Sequence, residues 1–453
     1  MGASFERRRE PRPLLSRRIA SGRGAMEQPN ATGDQDVPLT LKFWLLVLLT
    51  GVGTGVFGIA LMLLLFGVSD LAFGPGAGPE FQAAVLAASW PRRVVPLLVA
   101  GVVGGVGWYL LRRWTPGKRT DVDDTIWTGD GTLSFRRSAG TSVLSEIVVG
   151  LGASLGREAA PKLMGGVCGS LLGRWAGLSV PQRRLLVACG AGAGLAAVYN
   201  VPLGGALFTA EVLCGTIRLP VMLPALACSG VATLVAWAYL PSSATYAQIP
   251  DYPFHASVLV WALLAGPLVG VLASGFIRLI AWVDHHQAKG RWVLVAPLAA
   301  FGVLAGFGLF LPQLYGNGKD MAHDAFVGSG GLLLFGALFL FKPLLTCLCL
   351  GSGASGGLFT PTMSTGAVLG AFLGTAWSLL WPGAPVGAYA MIGAAAMIGA
   401  GMQAPLAALA LVLELTHSGF ALMVPMMAAT LTATAVARYI DGYSIYSARL
   451  SAR

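Results

Sequence analysis

The sequence predicts an all-α, polytopic membrane protein of two structurally repeated halves with many broken and tilted helices, and three observations carry that prediction. Of its 453 residues 55% are apolar and only 11% charged, against roughly 25% charged in an average soluble domain. Apolar runs close to the roughly 20 residues that span a bilayer recur along the chain. Two proline-containing motifs also return in the same order in the second half.

Residues 1–38 read as a disordered, basic, cytoplasmic tail, because residues 1–25 carry seven arginines against Glu6 and Glu10 in a Pro/Arg/Ser-rich context. The tail lacks the apolar core of a secretory signal. Its charge is read as holding the N-terminus inside, not as binding nucleic acid. Arg112, Arg113, Lys118, Arg119, Arg136 and Arg137 belong to the same side, one hairpin later.

The membrane domain is expected over residues 39–440, with repeat halves at about 39–240 and 255–440 and a short segment at 441–453. Spans are read at Leu41 to Phe66, Val94 to Leu111, Leu219 to Leu240, Val258 to Ile280, Trp292 to Leu311, Leu332 to Leu350 and Gly419 to Val436. Shorter apolar pieces between them are bounded by Gly or Pro. The 62 glycines, close to twice the usual roughly 7%, mark helices that pack closely or break. Six cysteines in apolar context are packing residues, and no metal or cofactor is expected.

The repeat is visible in "NVPLGGALFTAEVL" (Asn200 to Leu213) and "QAPLAALALVLEL" (Gln403 to Leu415). Each is preceded by another proline-started helix, Pro161 after "GREAA" and Pro361 after "GGLFT", at separations of 41 and 44 residues. Nothing in these strings orients one half against the other. Helix N-termini expose free N–H groups and about half a positive charge. Aiming "GREAAP" and "GGLFTP" at one spot would therefore build an anion site without a full buried cation. A lone carboxylate there, Glu158, costs about 2.5 to 3.5 kcal/mol in a membrane and is a functional candidate.

At these residues the chain resembles the CLC family of chloride channels and chloride/proton antiporters. "GREAAP", "GGLFTP", "YNVPLGGALFTAE" and "IYSARL" are similar to four of the family's motifs, in order. The resemblance implies a CLC-type fold in the lipid bilayer, a homodimer with one pathway per subunit, and chloride as the transported ion. It makes Glu158 the gating glutamate and assigns the central anion ligands to the amides near Leu358 and Phe359 and to the Tyr446 hydroxyl. Arg157, Ala159 and Thr360 would frame the outer site.

Three departures shape the functional expectation. The family's early G-S-G-x-P is missing, and its loop is "PGKRTDVDD", with Lys118 near the serine's place at the inner mouth. Ala160 stands where the family's proline falls. The antiporters' inner proton-accepting glutamate falls on Val212, while Glu211 matches its neighbour, so a proton path would have to use Glu211 or water. A valine carries no protons, which favours passive chloride conduction over proton-coupled antiport.

A remote alternative is an intramembrane serine protease, from Ser355 in "GASG" and His417 as base. His285, His286 and His323 read as loop residues, Met423, Met426 and Met427 as packing, and Glu414 as a bonded carboxylate inside the bundle. Lys162 and Lys342 read as snorkelling or as positive potential for the pathway. The Ala/Gly/Arg-rich composition suggests a bacterial inner-membrane protein.

Overall fold

In the computed structural model, residues 37–115, 117 and 121–450 are described. The tail at 1–36, Lys118 and Arg119 lie outside them. The described residues form 17 α-helices. The first half holds α1 (Leu41–Phe73), α2 (Phe81–Ala87), α3 (Trp90–Trp114), α4 (Val122–Trp127), α5 (Phe135–Gly150), α6 (Ala159–Trp175), α7 (Val180–Tyr199), α8 (Pro202–Leu207) and α9 (Leu219–Ala236). The second holds α10 (Ala256–His285), α11 (Ala296–Phe310), α12 (Lys319–Phe326), α13 (Leu332–Gly351), α14 (Phe359–Ser378), α15 (Val386–Met402), α16 (Pro405–Thr416) and α17 (Met423–Ile440). Seven helical stretches are long and apolar enough to cross a membrane, and they coincide with the seven spans read from the sequence.

The halves match helix for helix once the short α2 is set aside. α6 packs on α7 as α14 packs on α15, and α1 on α9 as α10 on α17, while α3 meets its counterpart α11 and α8 meets α16. Both tight pairs are glycine-mediated: a Cβ on Gly165 would strike the Gly190 backbone, and one on Gly366 that of Gly393. Such contacts let helix backbones approach without water to drive them together.

Contacts at the helix ends orient the halves. α3 returns to the face from which α1 starts, and there Arg112 donates to the Gly353 carbonyl at 2.7 Å. On that same basic face Ala288, just past α10, donates to Gly351 at 2.9 Å. α10 thus ends where its counterpart α1 begins, which makes the repeats inverted.

Two local details depart from the sequence reading. Pro161 and Pro361 are the third residues of α6 and α14, not the first; the first four N–H groups of a helix lack intrahelical partners, so the position costs no bond. Pro202 and Pro405 do open their helices, each after a left-handed cap, Asn200 and Gln403, both at φ 57°. α8 also widens into a π-turn at Phe208–Leu213, whereas α16 stays α-helical to Thr416.

Candidate functional site

The loops before α6 and α14 are tied together by an antiparallel bridge. Gly156 N–H donates to Gly357 O at 2.8 Å and Gly357 N–H donates back at 2.7 Å. This brings two helix starts face to face at the junction of the halves. Glu158, the N-cap of α6, makes no side-chain cap on its own helix. Its Oε1 instead accepts from the α14 amides of Phe359 at 2.8 Å and Thr360 at 3.4 Å. Oε2 accepts from Thr360 Oγ1 at 3.1 Å and Tyr199 OH at 3.2 Å, and those two hydroxyls lie 2.6 Å apart.

The carboxylate is only 4% exposed, and hydrogen bonds to an ion, about 1.5 to 3 kcal/mol each, offset its burial. A Cβ on Gly156 or Gly357 would overlap its oxygens, so both glycines keep the seat open. Chemically, an anion occupies a helix N-terminus that would accept any small anion.

Glu158 separates two openings. On the basic face a cavity of about 310 Å³ is lined by Glu158, Ala159, Leu358, Tyr446, Lys162 and Asp123 among others. On the opposite face a pocket of about 30 Å³ is lined by Arg157, Lys319, Asp320, Ser69 and Val149 among others. Arg157 does not pair with Glu158; its guanidinium stands 4.9 Å from the centre of the Tyr199 ring.

Most of the anticipated residues therefore converge. Phe359 and Thr360 supply amides, Leu358 and Tyr446 line the basic-face cavity, and Arg157 lines the opposite pocket. Ala159 faces the basic side and not the outer one. Tyr446 is anchored by its neighbour Ile445, whose N–H donates to Gly401 O at 2.8 Å, and by an edge contact with Phe208 at 5.8 Å. Lys118 is outside the described residues.

Glu211 and Val212 are elsewhere. Val212 is buried in the π-turn, and the Glu211 carboxylate accepts from Leu406 and Ala407 at the start of α16. Neither lines the cavity.

Asp123 was missed by the sequence reading, although "DVDD" in the departed loop was its signal. Its Oδ2 lies 3.0 Å from Lys162 Nζ, and that ammonium is 4.4 Å from the centre of the Tyr446 ring. Lys342 is fully buried and donates to the carbonyls of Leu314 and Gly316 at 3.2 and 2.7 Å, so it does not snorkel. The protease pair is not assembled: Ser355 lines the basic-face cavity, and His417 caps α16 next to Ser418, which bonds Pro250 and Asp251. All six cysteines are buried and free, and no cluster of metal-binding side chains occurs among the described residues.

Comparison with known proteins places this geometry in context. The family model described as voltage gated chloride channel matches residues 97–438. A ClcB-like chloride channel protein of Ralstonia nicotianae is 34% identical over 391 residues, covering 83% of this chain and 89% of its own. A voltage-gated ClC-type chloride channel, ClcB of Shigella flexneri, is 32% identical over 68% of this chain and 74% of its own. Among solved structures, a slow cyanobacterial Cl⁻/H⁺ antiporter superposes with a TM-score of 0.77 at 23% identity, over 90% of this chain and 97% of the other. A CLC-type fluoride/proton antiporter does so at 0.70 and 22%, over the same shares. These two share the fold.

Proposed function

The chain belongs to the voltage gated chloride channel family, and from that premise we propose passive conduction of chloride or a similar monovalent anion, gated by Glu158. The observation that carries this reading is the Glu158 carboxylate seated on the α14 amides. A negative side chain that binds where a mobile anion would bind can block the path or yield it.

Protonation removes the charge on which those bonds depend, and the neutral side chain gives up the seat. Chloride then takes the Phe359 and Thr360 amides, with the Tyr446 hydroxyl turned to it from the cavity. Lys162 raises the potential on one side and Arg157 on the other. Backbone dipoles hold the ion without a full counter-charge, which keeps binding weak enough for release.

The basic face, with Lys42, Arg112, Arg113 and Arg137, is cytoplasmic by the positive-inside rule, so the Arg157 pocket is external. Passive conduction is supported by Val212, which has no titratable atom, and by Glu211, whose carboxylate is spent on α16. The working unit is a homodimer in a bacterial inner membrane with a pathway in each subunit, and it needs no cofactor beyond the ion.

The deciding experiment is chloride efflux from loaded liposomes with a pH electrode alongside. Passive conduction gives chloride release without proton counter-movement. Stoichiometric proton uptake would replace it by proton-coupled exchange, and no anion flux at any pH would overturn both.

A further inference from the structure

Each buried acid among the described residues has a donor except one. Glu158 accepts from α14, Asp123 from Lys162 and Asp284 from Arg449. Glu146, in α5, is 0% exposed and neither of its oxygens has a hydrogen-bond partner. A leucine would fill the same space, whereas an ionised carboxylate buried without a donor costs several kcal/mol. Packing does not account for this residue.

Its position does suggest a use. Ser138 and Thr141 of α5 line the basic-face cavity, and Val149 lines the Arg157 pocket. Glu146 is one turn from Val149, about 4.5 Å along the axis, and two turns from Ser138, about 12 Å. Ser138, Ser142 and Ser145 share its buried stripe, and Ser145 Oγ ties α5 to the loop before α14 through Ser355 O at 2.8 Å.

The charges that act on Glu146 are those of Arg157 and Glu158. Others on the helices packed against α5 sit near helix ends or are engaged. On α1, Lys42 bonds Ala176 O and Asp70 accepts from Gly78 N. On α3, Arg93 bonds the Ala88 and Leu86 carbonyls and Arg112 bonds Gly353 O, with Arg92 and Arg113 near the two ends of the same helix. On α6, Lys162 holds Asp123 and Arg174 is in the last turn. On α5 itself, Arg136 and Arg137 are in the first turn, and Arg137 bonds Thr115 O.

We propose that Glu146 is the proton donor of the gate, loaded from the Arg157 pocket and handing its proton to Glu158. The inference rests on Glu158 being the gate. In the step, the O–H bond at Glu146 breaks and the proton is bound by a carboxylate oxygen of Glu158. The charge left on Glu146 faces Arg157 until a solvent proton from the external pocket replaces it. Because the proton enters and leaves by one face, chloride movement stays free of net proton transfer.

The test is an external acid jump on the full chain in chloride-loaded liposomes, comparing wild type with Glu146→Gln, Glu146→Leu and Glu146→Asp. Gln and Leu should keep chloride efflux at low external pH but delay its onset by about tenfold or more, a modest share of what a positioned acid supplies. Asp, which still carries a proton, should recover part of the lost speed and decides the matter if the other two do not fold. Onset at the wild-type rate in the Gln or Leu variant, or an Asp variant as slow as Gln, overturns the donor role alone. No efflux from wild type at any pH overturns the conduction reading and this inference with it.

Discussion

Glu211 and Glu414 cap each other's helices across the repeat. The Glu211 carboxylate accepts from Ala407 N at 2.6 Å and Leu406 N at 3.3 Å, while Glu414 accepts from Gly204 N at 2.5 Å and Leu203 N at 3.0 Å. Each glutamate lies near the end of its own helical segment and neutralises the free amides at the start of its counterpart. The echo between the two "P…E" strings, with nine residues from proline to glutamate in both, is thus a reciprocal lock between the halves.

Removing either carboxylate should therefore lower stability and leave gating alone. Glu211→Gln and Glu414→Gln are each expected to cost about 1 to 2 kcal/mol, the range of charge–dipole caps in partly buried sites. Thermal unfolding in detergent measures the loss, and chloride efflux against pH measures the gate. A Glu211→Gln variant of full stability with a shifted pH profile would restore Glu211 to the proton path.

Substituting the gate itself should have the opposite signature. Glu158→Gln and Glu158→Ala are expected to conduct chloride with no dependence on external pH, since the wild-type seat is vacated only when the carboxylate is neutral. Efflux from liposomes across a pH series is the measurement. Retained pH gating in both variants would move the gate to another group.

Gly357→Ala examines the seat from its other wall. The added methyl group would stand where the Glu158 oxygens now lie, with no left-handed backbone at that position to confuse the outcome. The carboxylate should be displaced from the Phe359 amide and the gate should lose closure, giving raised efflux at neutral pH. Efflux equal to that of wild type would mean that the loop yields and the seat is not sterically defined.

How far the sequence foretold this site depends on the kind of signal involved. Span length and composition located the seven apolar crossings, because lipid imposes both. Glu158 and the two helix starts were legible because charge and proline are conspicuous in apolar sequence. The inversion of the halves was not, since "GREAAP" and "GGLFTP" carry no direction until α1 and α10 are seen to end on opposite faces. The lack of partners around Glu146 was likewise invisible: a glutamate two residues before an apolar run looks the same whether its oxygens are bonded or not. Lys162 was noticed, but its purpose depended on Asp123, 39 residues away, which only the fold brings to it.

That pair gives a prediction about anion affinity on the cytoplasmic side. Lys162 Nζ is shared between Asp123, at 3.0 Å, and the face of the Tyr446 ring. Asp123 therefore competes with an entering chloride for the same ammonium. Lys162→Met should weaken chloride binding about tenfold, equivalent to about 1.4 kcal/mol, well below the roughly 4 kcal/mol of an unscreened pair at 4 Å in a medium of dielectric 20. Asp123→Asn should strengthen it by freeing the cation. Tyr446→Phe should have a smaller effect than Lys162→Met, because the α14 amides keep their share of the site. Chloride titration calorimetry in a Glu158→Gln background, where the seat is free for the ion, reads all three. Should Asp123→Asn weaken binding as much as Lys162→Met does, the pair would be a strut that shapes the cavity mouth and not a competitor for the ion.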